Sequence, residues 1–255
     1  MGRVVISGLG AVTALGENLS AMWPRLLAGE NGIARIGSFD VSEYGCKVAA
    51  EVREIDGNRQ TEWDNYGDET GLHSIPGDYC RRGARLFLKA ATEAYEDSGL
   101  GRVAATSAST GVAAGGSVAY FDMDVASRFF RMRRPDGREL DMRRFVAEGA
   151  LPKNNFYRRI GDLMAILPAK KLGIAGPVMV IDTACAASGH AIGQAFRMVQ
   201  RGRVKAMLAG GASALVGPLT LLYFAVLGAL SRNPDPKVAS RPFDRDRDGF
   251  VIGEG

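Results

Sequence analysis

The sequence predicts an α/β fold in which a mixed, mostly parallel sheet is covered by helices on both faces. Short apolar runs alternate along the chain with longer segments of helical periodicity. The short runs are continuously apolar, which is typical of strands buried on both faces. Of the 255 residues, 46% are hydrophobic and 24% are charged. This balance excludes disordered, collagen-like and coiled-coil chains.

The first half of the chain contains a predicted strand and two predicted helices. Residues 4–9 form an apolar run that we expect to be a buried strand. Ser20 is expected to cap a short helix that reaches Leu27, and residues 51–80 are polar enough for a peripheral loop. A clearer helix ends near Gly99, a suitable C-cap residue. Its apolar side chains recur at helical spacing: Ala84, Phe87, Leu88, Ala91, Ala94 and Tyr95.

The second half repeats the alternation of strands and helices. We predict strands over 111–116, 177–181 and 204–208, and helices over 156–172, 188–200 and 219–230. Pro168 is expected to kink the first of these helices or end it early. Residues 206–231 carry no charge, and about 20 apolar residues can span a bilayer. Glycines interrupt this stretch, so we predict a buried strand, a turn and a buried helix, without membrane insertion.

Charge and cysteine content restrict the function classes. The formal net charge is +4, but residues 128–159 contain ten Arg or Lys and four acidic residues. This window is either a solvated face or a docking surface for an acidic partner. Nucleic-acid binding is not predicted, because no nucleic-acid motif accompanies the charge. The three cysteines are too few for a disulfide framework or a zinc site, so a reducing, cytoplasmic setting is expected.

Two motifs resemble ligand sites but lack required residues. Gly8-Leu9-Gly10 begins like a dinucleotide-binding loop, yet Thr13 stands where the third glycine belongs. Residues 244–249 match the first half of a calcium loop, but Gly255 occupies the twelfth position, where a bidentate acid is required. We therefore predict neither a nucleotide site nor a metal site. The 244–249 segment is instead expected to form an arginine–carboxylate network.

A candidate nucleophile lies where a predicted strand meets a predicted helix. Cys185 sits among small residues at this junction. The positive end of a helix dipole stabilises a thiolate there, and backbone N–H groups can bind a developing oxyanion. The alternative is a buried structural cysteine. His190 follows five residues later, which on a helix is about 500° of rotation, so a core histidine is favoured over a base for Cys185.

Four segments resemble the elongating β-ketoacyl-ACP synthases of the thiolase-like superfamily. They occur in the family's order and nearly span the chain, and the fold implied is one half of a layered α/β/α architecture. The segments are residues 3–13, Asp182-Thr183-Ala184-Cys185 with the three residues that follow, Ala209-Gly210-Gly211-Ala212, and 240–255 with its Gly253-Glu254-Gly255 ending.

The resemblance implies a decarboxylative condensation of fatty acid or polyketide synthesis. Cys185 would be the nucleophile, with its backbone N–H in the oxyanion hole. Phe224 matches a phenylalanine that lines the acyl pocket, although a plain core phenylalanine is an equal alternative. The partner implied is an acidic acyl carrier protein docking on the basic window, here assigned to Arg131, Arg133 and Arg134. A homodimer is also implied, and no cofactor or metal.

The resemblance also implies that residues 1–255 are the N-terminal domain of a longer enzyme, with peripheral excursions at about 51–80 and 120–160. The family's two catalytic histidines and its lysine follow the Gly-Glu-Gly motif, and neither His73 nor His190 aligns with them. We therefore expect these 255 residues alone to be poorly soluble and inactive in condensation. Two alternatives are weaker: a non-catalytic chain-length-determining subunit, which would lack Cys185, and a cysteine hydrolase, which would need a His–Asp or His–Asn pair.

Overall fold

A three-stranded parallel sheet forms the centre of the fold. The computed structural model describes residues 3–53, 82–102, 107–116, 127, 129–134, 137, 139–148 and 163–255. The strands are β1 (Ala34–Arg35), β2 (Val48–Ala49), β3 (Thr110–Gly115), β4 (Val178–Ile181) and β5 (Ala206–Gly211). The order β4-β3-β5 is parallel throughout, and β1 pairs with β2 in a separate antiparallel ribbon.

Helices cover both faces of this sheet, as predicted. They are α1 (Leu19–Leu27), α2 (Arg82–Asp97), α3 (Met142–Ala147), α4 (Leu163–Lys171), α5 (Ala187–Gln200) and α6 (Pro218–Val226). Side chains of the central strand β3 alternate between the two faces. Val112 and Ala114 join the cluster of α2 and α4, whereas Ala113 packs with Ala191 and Ala195 of α5.

The N-terminal apolar run is not a strand, contrary to the prediction. Residues 4–9 form no ladder, and Val5 and Ile6 are exposed. The run lies instead along α2, where the N–H of Leu9 donates to Asp97 and that of Ala11 to Glu93, both at 2.9 Å. Carboxylates on a helix thus satisfy backbone donors that a sheet would otherwise pair.

Two local predictions about helix ends were also wrong. The N-cap of α1 is Asn18, whose side chain accepts the N–H of Ala21 at 2.8 Å, rather than Ser20. Helix α4 continues through the buried Pro168 to Lys171, and the part of the predicted helix before 163 lies outside the described residues. Gly99, by contrast, has the left-handed φ of 68° expected after the end of α2.

Two elements that were predicted to be buried are only partly buried. Strand β4 is an edge strand of the described sheet, and Val178 is 40% exposed. Helix α6 buries only Leu221, while Leu222, Tyr223 and Val226 are exposed. The described residues cover a single side of α6, through the cluster that includes Ile36, Leu230 and Ile252. None of the described helices is long and apolar enough to cross a membrane.

The Gly-Glu-Gly segment is tied to the fold by a buried carboxylate. The side chain of Glu254 is 5% exposed and meets Arg82 of α2 at 2.9 Å. It also accepts the N–H of Val52 at 3.1 Å. The described start of the predicted 51–80 excursion is therefore part of the core, since Glu51 and Val52 are buried. The remainder of that excursion lies outside the described residues.

Glu51 is a second buried carboxylate, and its environment favours the charged form. Burial alone would raise the pKa of Glu51, but hydrogen bonds from Ser38 and Gly37 outweigh it, and the net pKa lies below the ordinary 4.5. Gly37 N–H donates at 2.9 Å and Ser38 N–H at 3.2 Å, while Arg53 lies at 3.4 Å. A group whose pKa is lowered by folding stabilises the fold above its unfolded pKa.

We expect Glu51→Gln to lower the unfolding free energy by about 1 kcal/mol at neutral pH, because it weakens charge-assisted hydrogen bonds. The stabilisation from Glu51 is lost as the pH falls through the lowered folded-state pKa, so the difference should close between about pH 5 and pH 3. Thermal unfolding across this range measures the effect. Glu43→Gln is the control, since Glu43 is exposed. A difference that stays constant with pH would contradict the prediction.

Candidate active site

Cys185 lies in a tight turn between β4 and α5. Strand β4 ends at Ile181, a 3-10 turn covers Ala184–Ala186, and α5 begins at Ala187. The helix therefore begins after one further turn, not immediately as predicted. Cys185 is exposed, whereas Cys46 is buried with its Sγ 3.3 Å from the Val48 carbonyl. Within the described residues, Cys185 therefore does not have the burial expected of a structural cysteine.

The residue before the cysteine has an unusual backbone conformation. Ala184 adopts φ = 49°, in the left-handed region, and it is not a glycine. For a non-glycine residue this conformation costs of order 1 kcal/mol or more of conformational free energy, and it is kept only where surrounding contacts enforce it. The turn thereby re-aims the chain sharply enough to present Cys185 at the surface. Alanine carries no sequence signal for this conformation, so the sequence could not have predicted it.

The backbone N–H of Cys185 has no acceptor among the described residues and is free to bind an anion. Neither the 3-10 turn nor α5 has a side-chain hydrogen bond at its N-cap. The first N–H groups of a helix have no partner inside it and carry a partial positive charge. The turn can therefore accommodate negative charge on a thiolate or on an oxygen atom beside it.

Two glycines allow α5 to approach the sheet closely at this point. A Cβ on Gly115 of β3 would overlap the backbone of Ala187 and Ser188. A Cβ on Gly211 of β5 would overlap the Ser188 hydroxyl. The carboxyl ends of β3 and β5 thus support the first turn of α5, and through it the position of Cys185. This close approach gives a physical reason for glycine at these two positions.

His190 is not a core histidine, contrary to the prediction. It is exposed in the first turns of α5, and its Nδ1 lies 2.7 Å from the Thr183 hydroxyl. Its described partner therefore precedes Cys185 by two residues. The spacing between His190 and Cys185 carries no information about this contact with Thr183. His73 and Cys80 lie outside the described residues.

Phe224 is half-buried on α6. Its ring makes edge contacts with Phe250, at 5.3 Å between centroids, and with Tyr223, at 5.6 Å. These contacts suit either a core residue or one wall of a pocket. A cavity of about 270 Å³ lies elsewhere, between Thr13, Arg25 and Val52. Neither Cys185 nor Phe224 lines it, so it is not the apolar tunnel implied by the resemblance.

The three arginines of the basic window that were singled out are all exposed. Arg134 forms an ion pair with Glu139 at 2.9 Å. The Arg133 guanidinium lies 4.7 Å from the ring centroid of Phe130, which is 66% exposed. Among the described residues, no acidic side chain forms a salt bridge with Arg131. The charges of Arg131 and Arg133 therefore have no salt-bridge partner among the described residues, whereas that of Arg134 is paired.

The 244–249 segment is anchored mainly by one aspartate. Asp248 accepts hydrogen bonds from the Ser231 hydroxyl and the Arg232 N–H, both at 2.8 Å, and Arg241 lies 3.9 Å away. Hydrogen bonds from the Arg232 N–H and from Ser231 lower the pKa of Asp248, and Arg241 adds a smaller effect. The predicted arginine–carboxylate contact is thus weaker than the hydrogen bonds that join Asp248 to Ser231 and Arg232.

The comparison with family models identifies the chain. Residues 1–255 match the model described as "Beta-ketoacyl synthase, N-terminal domain". The chain belongs to the beta-ketoacyl synthase family. The resemblance inferred from the four segments is confirmed by this match.

Curated relatives of this family member include enzymes of two kinds. "3-oxoacyl-[acyl-carrier-protein] synthase 2" of Synechocystis sp. is 35% identical over 99% of the chain, which covers 56% of that protein. "Actinorhodin polyketide putative beta-ketoacyl synthase 1" of Streptomyces coelicolor is 31% identical, again over 99% of the chain. The chain therefore spans about half the length of the curated relatives it matches.

Solved ketosynthase structures share the fold. A beta-ketoacyl synthase from Burkholderia phymatum STM815 has a TM-score of 0.73 at 27% identity, with 100% of this chain and 57% of that chain covered. "The ishigamide ketosynthase/chain length factor" has a TM-score of 0.75 at 26% identity, with 99% and 56% covered. These likenesses confirm the predicted fold class, a thiolase-like α/β architecture.

Proposed function

We propose that this chain is the nucleophile-bearing domain of a condensing enzyme that makes β-ketoacyl-ACP. The observation that carries the proposal is that Cys185 is exposed and that its own backbone N–H has no acceptor among the described residues. The name of the Synechocystis relative, a 3-oxoacyl-[acyl-carrier-protein] synthase, supports the same reaction class. Residues 1–255 are proposed to be the N-terminal domain of that enzyme.

The first half-reaction is a thioester exchange at Cys185. The Cys185 thiolate attacks the carbonyl carbon of an acyl-ACP thioester and forms a new C–S bond. The oxygen gains negative charge, which the Cys185 N–H stabilises. The old C–S bond then breaks, the carrier-protein thiolate leaves, and it takes up the proton that Cys185 gave up. The groups required for this exchange, a cysteine sulfur and a backbone donor, both lie in the described turn.

The second half-reaction extends the chain by two carbons. Malonyl-ACP loses carbon dioxide, and the electron pair of the broken C–C bond becomes a carbanion. That carbanion attacks the Cys185 thioester, expels the Cys185 thiolate, and leaves a β-ketoacyl-ACP. The two histidines and the lysine that the resemblance implies for this step follow the Gly-Glu-Gly motif. Residues 1–255 are therefore proposed to load the acyl group without condensing it.

Two site assignments are proposals that rest on this reaction. Phe224 would line the acyl pocket, and its half-buried ring on the only partly buried α6 suits a wall that further chain completes. Arg131, Arg133 and Arg134 would receive the acidic carrier protein. Arg131 is the clearest position to test, because it has neither a salt bridge nor a ring contact among the described residues, whereas Arg134 pairs with Glu139 and Arg133 lies against Phe130.

Reversing the charge of Arg131 tests the docking surface. Arg131→Glu is expected to raise KM for acyl-ACP about tenfold at low salt, with kcat unchanged, because electrostatic complementarity acts mainly on encounter. The loss should shrink as salt screens the charges. Arg245→Glu, at an arginine that is 95% exposed outside the basic window, is the matched control. Equal KM values for the two variants would contradict docking at Arg131.

A homodimer is proposed through the edge strand β4. In relatives the strand before the nucleophile lies at the two-fold axis. Here β4 has a hydrogen-bonded neighbour on one side only within the described sheet, and Val178 is 40% exposed. Unpaired strand edges favour pairing with another chain. The alternative of a chain-length-determining subunit is disfavoured, because such subunits lack the cysteine that this chain has.

Acyl mapping tests the proposed reaction. The protein is incubated with an acyl-ACP, and the acyl group is located by peptide mass spectrometry. We expect the added mass on the peptide that contains Cys185. Acylation of Cys46 or Cys80 instead would contradict the mechanism. With malonyl-ACP also present, β-ketoacyl product formed by residues 1–255 alone would overturn the assignment of the second half-reaction to later residues.

A further inference from the structure

We propose that the Thr183–His190 hydrogen bond is a positioning device that holds Cys185 in its reactive conformation. Thr183 precedes Cys185 by two residues, and His190 follows it by five. Their side chains meet at 2.7 Å between Oγ1 and Nδ1. The contact therefore closes a bridge across the turn that contains the nucleophile. The role rests on the proposed function of Cys185, but it concerns a pair of side chains outside the reacting groups.

The turn needs such a support because its backbone is strained. Ala184 stands between Thr183 and Cys185 with φ = 49°. A non-glycine residue keeps this conformation only where its surroundings over-determine it. On one side, Ala184 N–H has a weak contact with the Asp182 carboxylate at 3.4 Å. On the other side, the Ala186 N–H donates to the Thr183 carbonyl at 3.1 Å. The position of Thr183 therefore constrains the turn on both sides of Cys185.

The side chain of Thr183 is directed away from the usual capping role. Thr183 is the N-cap of the 3-10 turn, yet its hydroxyl makes no capping hydrogen bond to the turn. Capping would occupy a backbone N–H close to Cys185, the type of donor that an oxyanion requires. By bonding His190 instead, the hydroxyl fixes Thr183 to the first turns of α5 and leaves the Cys185 N–H unoccupied. His190 thus acts through Thr183 as a positioning residue.

Alkylation of Cys185 by iodoacetamide tests this role directly. The rate is followed by peptide mass spectrometry in the protein that carries this chain, for Thr183→Val, Thr183→Ser, His190→Ala and the double variant Thr183→Val/His190→Ala. We expect Thr183→Val and His190→Ala each to slow alkylation about fivefold, the effect of one ordinary hydrogen bond. The double variant should be no slower than either single variant, because both remove the same contact. Thr183→Ser keeps the hydroxyl and should react within about twofold of the wild type.

Gln194→Ala is the matched control, since Gln194 is exposed one turn further along α5. Melting temperatures show that each variant is folded. Single variants that react like the wild type, effects that multiply in the double variant, or a Thr183→Ser protein as slow as Thr183→Val would overturn the proposal. If the predicted alkylation pattern is found but acyl-ACP does not load Cys185, the positioning role stands and the proposed function fails.

Discussion

Replacing Cys185 by alanine is expected to abolish acyl loading from acyl-ACP, with a loss of at least about 1000-fold, because it removes the sulfur atom on which we propose that the thioester forms. Intact-mass measurement after incubation with acyl-ACP provides the readout. The fold should survive, since Cys185 is exposed and its side chain contributes no buried contact. We expect the unfolding temperature to stay within about two degrees of the wild type, as for a neutral surface substitution. The loss of acyl loading could then not be attributed to unfolding.

Cys46→Ala is the matched control for this experiment. Cys46 is buried in the cluster that includes Ile36, Leu230 and Ile252, and its Sγ lies 3.3 Å from the Val48 carbonyl. Its replacement should lower stability modestly while acyl loading per folded molecule stays unchanged. Loading that disappears in Cys46→Ala but survives in Cys185→Ala would refute the assignment of the nucleophile.

Gly115→Ala is expected to have the largest effect on stability, about 3 kcal/mol, because a methyl group there meets backbone that cannot move aside cheaply. The new Cβ would overlap Ala187 and Ser188, the first residues of α5. Helix α5 must then shift away from β3, which displaces the turn that presents Cys185. We therefore expect both a lower denaturation midpoint and slower Cys185 alkylation, measured on the same preparation.

Gly193→Ala separates this steric effect from glycine replacement in general. Gly193 lies in α5, and a Cβ there has no atom within 4 Å. Alanine is the better helix former by about 1 kcal/mol, so this variant should be slightly more stable than the wild type. A Gly115→Ala protein as stable as Gly193→Ala would show that α5 does not rest on β3 as described.

Local pattern was a reliable guide where the hydrogen bonds and end signals of an element lie within its own sequence, as they do in a helix. The helix over α2 was predicted from its apolar spacing, and Gly99 ends it with the expected left-handed φ. Its predicted core residues Ala84, Phe87 and Leu88 are buried. Failures occurred where an element's partner is distant in the sequence. Backbone N–H groups in and next to the apolar run over residues 4–9 donate to carboxylates of α2, and the run does not pair with a strand.

Burial was the property that apolar composition predicted least well. Helix α6 is as apolar as a core helix, yet Leu222, Tyr223 and Val226 face outward among the described residues. Composition states how much surface could be buried, but only the partner that packs against an element decides how much is buried. The same reasoning applies to β4, which is apolar at the edge of the described sheet.

The sequence alone determined the family, the alternation of strands and helices, and the location of Cys185 where β4 leads to α5. These properties depend on residue types and spacings that are readable along the chain. Only the tertiary structure decided that Ala184 is strained, that Gly115 supports α5, and that Thr183 meets His190. Each of these depends on how a tight turn rotates side chains and backbone in space, and residue spacing does not specify that rotation.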